Sequence, residues 1–274
     1  MSISHPFNGT AFPWRKKKLE SLIEADDAPG LEKFLQQHPR AVEWEVVHGP
    51  NHHLFIHEAV EKQKYDATKV LLEHGARTDT LSKYKHTLMQ HALRVVWGSN
   101  STSTPENLRM AQLLLDHGAD INQQDIHKRT NLCQAGWMAN VPAAQFLIDR
   151  GADASIGMNR GTTVLMNALN ADGPRAGILK VLLTTKPDVN ARNDSGMTAL
   201  TYAREAETAR MLMEAGADPQ TARRGTPAYD VALEFQAAKE AERAAPVEKD
   251  IGDASHNDVP APKSRVPVLV NKGP

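Results

Sequence analysis

The chain lacks several features that would assign it to a secreted, membrane-embedded or nucleic-acid-binding class. It has one cysteine, Cys133, in 274 residues, so no disulfide bond can form within the chain and a reducing compartment is favoured. Its formal net charge is −1, so no general field attracts it to nucleic acid or to an anionic membrane surface. No apolar stretch is long enough to span a bilayer, and nothing near the start resembles a signal peptide. We therefore expect a soluble, cytoplasmic protein with neither nucleic-acid nor membrane partners.

The chain does contain five blocks that end in the same way. Each has a short apolar run followed after two residues by a common position, which is glycine in four blocks and lysine in one. These positions are Gly75, Gly118, Gly151, Lys186 and Gly216. A spacing of about 33 residues indicates a solenoid, in which each unit buries its apolar face only against its neighbours. Such a chain usually presents a surface for binding.

A second anchor lies upstream of each block and recurs once more near the end. Its first positions are Leu54, Thr87, Thr130, Thr163, Thr198 and Thr226. Threonine favours the start of a helix, because its hydroxyl accepts a hydrogen bond from an otherwise unpaired backbone N–H. The apolar run then predicts the end of a second helix, which glycine terminates in a left-handed conformation. A lysine in that conformation would cost about 1 kcal/mol, so we expect a different turn at Lys186.

These anchors resemble the ankyrin repeat, whose units begin Thr-Pro-Leu-His-x-Ala and end Leu-Leu-x-x-Gly-Ala-Asp. The resemblance covers roughly residues 45–240, with Thr226-Pro227 keeping the Thr-Pro pair and His57 the histidine. Leu54 replaces the threonine that would bond to that histidine. The resemblance implies an all-α fold, a solenoid of about six helix-turn-helix units joined by extended, hairpin-like loops.

We divide the chain into four predicted regions. Residues 1–13 form an N-terminal extension, and residues 14–44 a degenerate capping repeat with Leu31, Phe34 and Leu35 in place of the Leu-Leu run. Residues 45–245 contain the ankyrin repeats and a polar C-terminal capping helix. Residues 246–274 are proline-rich and polar, and they cannot bury enough apolar surface to fold alone, so we expect a disordered tail.

The resemblance also implies a concave groove lined by the first helix and the loop tip of each unit. By register, the predicted partner-binding residues on the first helices are Glu58, Lys62, His91, Arg94, Gln134, Trp137, Asn167 and Tyr202. The predicted loop-tip residues are Lys85, His127, Lys128, Arg129 and Arg160. Trp137 and Tyr202 are the strongest candidates for energetic hot spots, because aromatic residues dominate interfaces. For Trp137, packing between repeats is an equally good interpretation.

Three other chemistries are open at this stage. The cluster of His48, His52, His53 and His57 suggests a metal-responsive module, although it lacks the usual zinc-ligand spacing. Cys133 occupies a position that faces the repeat interface, which favours a buried, inert thiol. If the chain were an enzyme or an enzyme regulator, we would expect a concave pocket lined by titratable groups with strongly shifted pKa values. No nucleotide-binding or catalytic motif is visible, so we expect no cofactor and no enzymatic activity.

The resemblance implies a protein–protein interaction module that is a monomer when unbound. Degenerate ankyrin proteins of this kind are common in bacteria, where some resemble toxin-neutralising immunity proteins. We place a toxin-neutralising role first, and a secreted host-directed effector or an adaptor that regulates an enzyme second.

Overall fold

The computed structural model describes residues 13–48, 51–96, 102–171 and 173–244. Its helices are α1 (Pro13–Glu24), α2 (Ala28–Gln37), α3 (Phe55–Glu61), α4 (Tyr65–Glu73), α5 (Leu88–Ala92), α6 (Pro105–Asp116), α7 (Asn131–Trp137), α8 (Val141–Asp149), α9 (Val164–Asn170), α10 (Ala176–Leu183), α11 (Ala199–Tyr202), α12 (Ala206–Glu214) and α13 (Pro227–Ala244). Strands β1 (Glu45–His48) and β2 (Asn51–Leu54) pair antiparallel as a hairpin before α3. The proposed extension, apart from Pro13, and the proposed tail 246–274 lie outside the described residues.

From α3 onward the helices alternate between two layers. The first helices α3, α5, α7, α9 and α11 contact one another in chain order, and the second helices α8, α10 and α12 do the same in the other layer. At the two ends, α2 contacts α4 and α13 packs on α12. This arrangement confirms the predicted all-α solenoid. In the described part of the chain, no helix is long and apolar enough to cross a membrane.

Two ladders of equivalent residues form the core. One is a leucine four residues before each common block position, and its members are at most 1% exposed: Leu71, Leu114, Leu147, Leu182 and Leu212. The other is an alanine on each first helix or, in the last unit, directly after it, at most 2% exposed: Ala59, Ala92, Ala135, Ala168 and Ala203. The small alanines allow the first helices to approach closely, while the leucines fill the space between the layers. Each unit therefore buries its apolar face against the next.

Helix starts follow the sequence prediction. The hydroxyls of Thr87, Thr130 and Thr163 each accept a hydrogen bond from the backbone N–H three residues later, at 3.1 to 3.2 Å. Thr226 differs, because its hydroxyl donates to the carbonyl of Arg223 at 2.7 Å. The capping role of threonine is thus confirmed at three of the predicted anchors.

Helix ends follow the prediction at the glycines but not at the lysine. Gly75, Gly118, Gly151 and Gly216 have φ between +82° and +96°, the left-handed conformation that ends a helix. Lys186 also has a positive φ, +50°, so the expectation of a different turn there was wrong. Its N–H still donates to the carbonyl of Leu183 at 3.0 Å, as the N–H of Gly75 does to Leu72. The second closing bond, which Ala76 makes to Leu71, has no counterpart here because Pro187 lacks an N–H.

Replacement of Lys186 by glycine is therefore expected to stabilise the fold by about 1 kcal/mol, because glycine adopts the left-handed conformation without steric cost. The free energy of unfolding from urea titrations measures this directly. Lys186→Ala is the matched control, since it removes the charge but keeps the strained backbone, and it should leave stability nearly unchanged. Equal effects of the two variants would contradict the assignment of strain.

Candidate partner-binding surface

The residues before each threonine anchor form a largely exposed turn. We define the tip row as residues 83–86, 126–129, 159–162, 194–197 and 222–225, the four positions preceding successive threonines. In the first four segments the turn is closed by a backbone hydrogen bond of 2.8 to 3.0 Å across the segment. The donors are Ser82, Asp125, Met158 and Asn193, and the acceptors are the carbonyls of His86, Arg129, Thr162 and Met197.

Side chains beneath the tips hold these turns in one conformation. The carboxylate of Asp125 is fully buried and accepts from the N–H groups of His127 and Arg129, at 2.8 and 3.0 Å. It also pairs with the guanidinium of Arg129 at 2.7 and 2.8 Å. Asn193 has the same role two units later, accepting from the N–H groups of Ser195 and Met197 at 3.0 Å each. The tips at 126–129 and 194–197 are therefore held in shape by bonds within the free chain.

Neighbouring tips also contact each other. The amide of Asn159 donates to the carbonyl of His127 at 3.5 Å, and the N–H of Asp194 donates to the carbonyl of Arg160 at 3.0 Å. The segments 126–129, 159–162 and 194–197 thus form one continuous edge. Among the predicted tip residues, Lys85, His127, Lys128 and Arg160 are exposed, whereas Arg129 is half-buried over Asp125.

The tip row also exposes large apolar side chains that sequence reasoning did not select. Tyr84 is 56% exposed, Ile126 54% and Met197 40%. Among the described residues, the only other large apolar side chains that are exposed are those of Trp14 and Leu233. A group of exposed apolar residues on one edge is more informative than scattered single ones, because it indicates a contact surface. Their position just before the threonine anchors was the available signal in the sequence.

Four predicted contact residues on the first helices are buried. They are Glu58, His91, Gln134 and Asn167, each at most 7% exposed. The close stacking of the first helices covers these side chains. His91, for example, bonds to Ser82 Oγ at 3.0 Å, and the amide of Asn167 donates to the carbonyl of Cys133 at 2.8 Å. Because they present so little surface, we remove these four from the contact set.

Two basic residues of the predicted set lie on the first-helix side of the solenoid. Lys62 is exposed and pairs with Glu24 and with Glu58, the latter at 2.8 Å, and both carboxylates raise the pKa of Lys62. Arg94 is half-buried and donates to the carbonyl of Glu61 at 3.4 Å. Lys62 therefore already has anionic partners inside the chain.

The two predicted hot-spot aromatics are both half-buried. Trp137 ends α7, and its carbonyl accepts from the guanidinium of Arg175 at 2.9 Å. Tyr202 ends α11, and its hydroxyl accepts from the amide of Asn193 at 3.0 Å. Tyr202 thereby connects its first helix to the turn beneath a tip. Both rings keep part of their surface available for a partner.

A histidine cluster lies beneath the first tip. His53 lies beside His57, with ring centroids 6.2 Å apart, and His86 lies beside His91 at 5.4 Å. His57 bonds to Thr80 at 2.9 Å, so a threonine from the following loop takes the place left by Leu54. Burial, followed by repulsion from neighbouring cationic groups, lowers the pKa of His57 and of His91 to about 3.

The described part of this histidine cluster gives no support to the hypothesis of a metal site. Among the described residues, no group of three or more His, Cys, Asp or Glu side chains is arranged to hold a metal ion. The side chains of His48 and His52 lie outside the described part. Cys133 is fully buried, and burial raises the pKa of its thiol, as expected for an inert cysteine.

A cavity of about 430 Å³ lies between residues 152–155 and residues 185–188, at the base of two consecutive loops. At two other junctions an asparagine spans the equivalent gap. Asn122 accepts from the N–H of Asp153 at 2.9 Å, and Asn190 accepts from the N–H of Asp218 at 2.8 Å. Ser155 stands at this position beside the cavity, and its side chain is too short to span the gap. Neither His57 nor His91 lines this cavity.

The double change Ala154→Val, Ser155→Asn is expected to fill part of this cavity, to bridge the two loops and to stabilise the fold by about 1 kcal/mol. Valine supplies the volume that Val189 provides one unit later, and asparagine restores the missing hydrogen bonds. Urea unfolding measures the gain. The reverse change, Asn122→Ser at an intact junction, should cost about 1 kcal/mol. A neutral result for both changes would contradict this explanation of the cavity.

Comparison with known proteins places these features in a family. The model of ankyrin repeats (three copies) matches residues 56–158 and 132–223. The ankyrin repeat and SOCS box protein 6 of Pongo abelii and of Homo sapiens is 33% identical over 144 residues, which cover 49% of this chain and 31% of that protein. The ankyrin repeat, SAM and basic leucine zipper domain-containing protein 1 of Atelerix albiventris is 35% identical over 103 residues, covering 36% and 22%.

The chain thus spans a third or less of the length of these curated relatives. A crystal structure of an ankyrin repeat domain from Acinetobacter baumannii AYE superposes with a TM-score of 0.61 at 21% identity, covering 74% of this chain and all of that one. Ankyrin repeats indicate a protein–protein interaction module. With its paired helices, left-handed helix ends and threonine caps, the chain belongs to the ankyrin-repeat family.

Proposed function

We propose that the chain binds a partner protein through the tip row and the exposed parts of the adjacent first helices. The observation that carries this proposal is the continuous edge formed by three tips. Its two outer tips expose Ile126 and Met197 and are each held from below by a buried or half-buried side chain. A surface that is ordered before binding loses little conformational freedom in the complex, so more of the contact energy remains as affinity.

The aromatic residues of this face are the expected energetic centre of the contact. Tyr84 is exposed at the first tip, and Trp137 and Tyr202 are half-buried at the ends of α7 and α11. Aromatic side chains bury a large area while losing few rotatable bonds, which is why they recur among residues that dominate interfaces. Loss of Trp137 and Tyr202 should weaken binding, and because Tyr202 also packs against the core, the stability of the variant has to be compared first.

Affinity capture from the native cell lysate tests this proposal. The full-length chain is compared with a Trp137→Ala, Tyr202→Ala variant and with Tyr65→Ala, a matched change of a half-buried aromatic on a second helix. All variants are first shown to have similar thermal stability. A stoichiometric protein retained by the wild type and by Tyr65→Ala, but lost with the double variant, would support the assigned face. Retention by all three, or by none, would contradict it.

For the biological role, we propose that the partner is a toxin that the chain neutralises by covering its active surface. The support is the combination of a continuous binding edge with a nearly neutral net charge, which suits tight, stoichiometric occlusion of one target. Co-expression with toxins encoded beside its gene tests the role by cell survival. Growth arrest in every such pairing would reject it. Capture of a host protein or an enzyme would instead favour a secreted effector or an adaptor.

A further inference from the structure

We propose that the tip row recognises an acidic segment of the partner protein, one that carries apolar residues among its carboxylates. This inference rests on the proposed function and specifies the chemistry of the partner at the same surface. Two independent observations point to it: the charge of the row and the exposed apolar side chains among its cations. The backbone conformation of two of its lysines supplies the means of testing it.

Charge is strongly segregated toward the tips. The five segments contain seven lysines and arginines against one aspartate, Asp194, although the whole chain has a formal net charge of −1. The cations are Lys83, Lys85, Lys128, Arg129, Arg160, Arg223 and Arg224. An edge of one sign on a nearly neutral protein favours a partner of the opposite sign, because complementary charge steers encounter and fixes register.

Most of these charges are not neutralised within the chain. Arg129 pairs with Asp125, but among the described residues Lys85, Lys128 and Arg160 make no ion pair. All three are exposed, and each lies at the outer end of its turn. Lys62, on the first-helix side, differs from these three residues because it already pairs with Glu24 and Glu58. The tips are thus the place where cationic groups remain available for carboxylates.

Two of the tip lysines occupy a backbone conformation that favours glycine. Lys85 has φ +64° and Lys128 has φ +60°, while the equivalent position two residues before Thr198 is Gly196, with φ +74°. A side chain at such a position adds steric cost that glycine avoids. Because the exposed Lys186 shares this conformation, the strain does not by itself indicate function. It means that both tip lysines can be replaced by glycine without loss of stability.

The apolar residues between the charges distinguish a peptide from a nucleic acid. Tyr84, Ile126 and Met197 are exposed along the row. Surfaces for single-stranded nucleic acid use aromatic rings on which successive bases stack, and the row offers one such exposed ring beside two aliphatic side chains. Aliphatic contacts interleaved with cations fit leucine-like and carboxylate side chains of a protein segment.

Selection from a random 12-residue peptide library displayed on phage tests the inference on the full-length chain. We expect the recovered peptides to be enriched in Asp and Glu around at least one large apolar residue. A synthetic copy of the leading peptide should bind the Lys85→Gly, Lys128→Gly variant about tenfold more weakly than the wild type. Because these pairs are exposed, raising the salt concentration should also weaken binding.

The control removes two positive charges from the second-helix layer and its loop, by Lys180→Gln and Lys186→Gly. It should change the affinity less than twofold. The tip variant should be at least as stable as the wild type, because glycine relieves both strained positions, so loss of binding cannot be ascribed to unfolding.

Peptides without acidic enrichment, equal affinity for the tip variant, or recovery of no peptide would each overturn the inference. Tighter binding of a 12-nucleotide single-stranded DNA than of any peptide would overturn it in favour of nucleic acid. Failure here is distinguishable from failure of the proposed function. A captured partner that is lost with the Trp137→Ala, Tyr202→Ala variant but insensitive to the tip lysines would retain the function and reject the acidic chemistry.

Discussion

Acidification from pH 7 to pH 4.5 is expected to lower the free energy of unfolding by roughly 5 kcal/mol, through His57 and His91. Both rings are buried, and their pKa values in the folded state are lowered to about 3. In the unfolded chain the same groups titrate near 6.5. Since a folded domain is usually stable by about 5–15 kcal/mol, the loss would bring the protein close to unfolding.

The sign of this effect follows from proton binding. Below pH 6.5 the unfolded state binds protons that the folded state refuses, so stability is complete above that pH and is lost as the pH falls toward 3. Besides burial, which is the largest cause, the neighbouring cationic groups act in the same direction. Repulsion from His86, His53, Arg94 and Lys83 lowers the pKa of His91.

The chain supplies matched controls for this prediction. Gln90 occupies the position of His57 one unit later, and Gln134 occupies that of His91. His57→Gln and His91→Gln therefore replace each titrating group by a side chain that the repeat accommodates elsewhere. Urea unfolding at pH 7 and pH 4.5 should show about half the wild-type loss in each single variant. An unchanged loss in both variants would show that other groups cause the acid sensitivity.

Removal of the carboxylate of Asp125 is expected to cost about 3–5 kcal/mol, because Asp125→Ala leaves the guanidinium of Arg129 without its ion-pair partner in a poorly solvated site. The same change orphans the backbone N–H groups of His127 and Arg129. The tip at residues 126–129 would lose both its supporting charge and its fixed shape.

Asp125→Asn provides the graded comparison. An amide oxygen can still accept from the two N–H groups, as Asn193 does at a later tip, and only the ion pair is lost. The amide nitrogen then faces the guanidinium of Arg129, so the cost of the broken ion pair remains and only the two N–H bonds are kept. We expect a loss somewhat smaller than that of alanine, about 3 kcal/mol. Thermal and urea unfolding should show that stability decreases from the wild type to Asp125→Asn and then to Asp125→Ala. Equal stability of the alanine variant and the wild type would mean that the buried pair contributes nothing to the tip.

The sequence predicted the repeat architecture because the same physical requirement recurs in every unit. Threonine caps, left-handed glycines and the leucine ladder each satisfy a local rule that is visible at fixed spacing. The turn at Lys186 was missed, because a cost of about 1 kcal/mol is small beside the contacts that hold the loop, so tertiary packing overrides it. Local preference alone could not weigh that balance.

The candidate site was predicted only in part for a different reason. Alignment of the repeats shows which residues lie on the first helix of a unit. It does not show how closely the first helix of the neighbouring unit approaches them. The alanine ladder brings these helices so near that Gln134 has no exposed surface and His91 is 4% exposed. The cavity beside Ser155 was likewise invisible, because it depends on a hydrogen bond that other units form between loops. Lys62 and four of the five predicted tip residues kept their predicted exposure, whereas the tip residue Arg129 is half-buried.

Hydrogen exchange of the full-length chain, alone and saturated with the captured partner, tests the central claim most directly. We expect slowed exchange in the partner complex at residues 83–86, 126–129 and 159–162, with little change in the second helices α6, α8 and α10. Protection confined to those second helices, with the tips exchanging as fast as in the free chain, would contradict the assignment of the tip row as the binding surface.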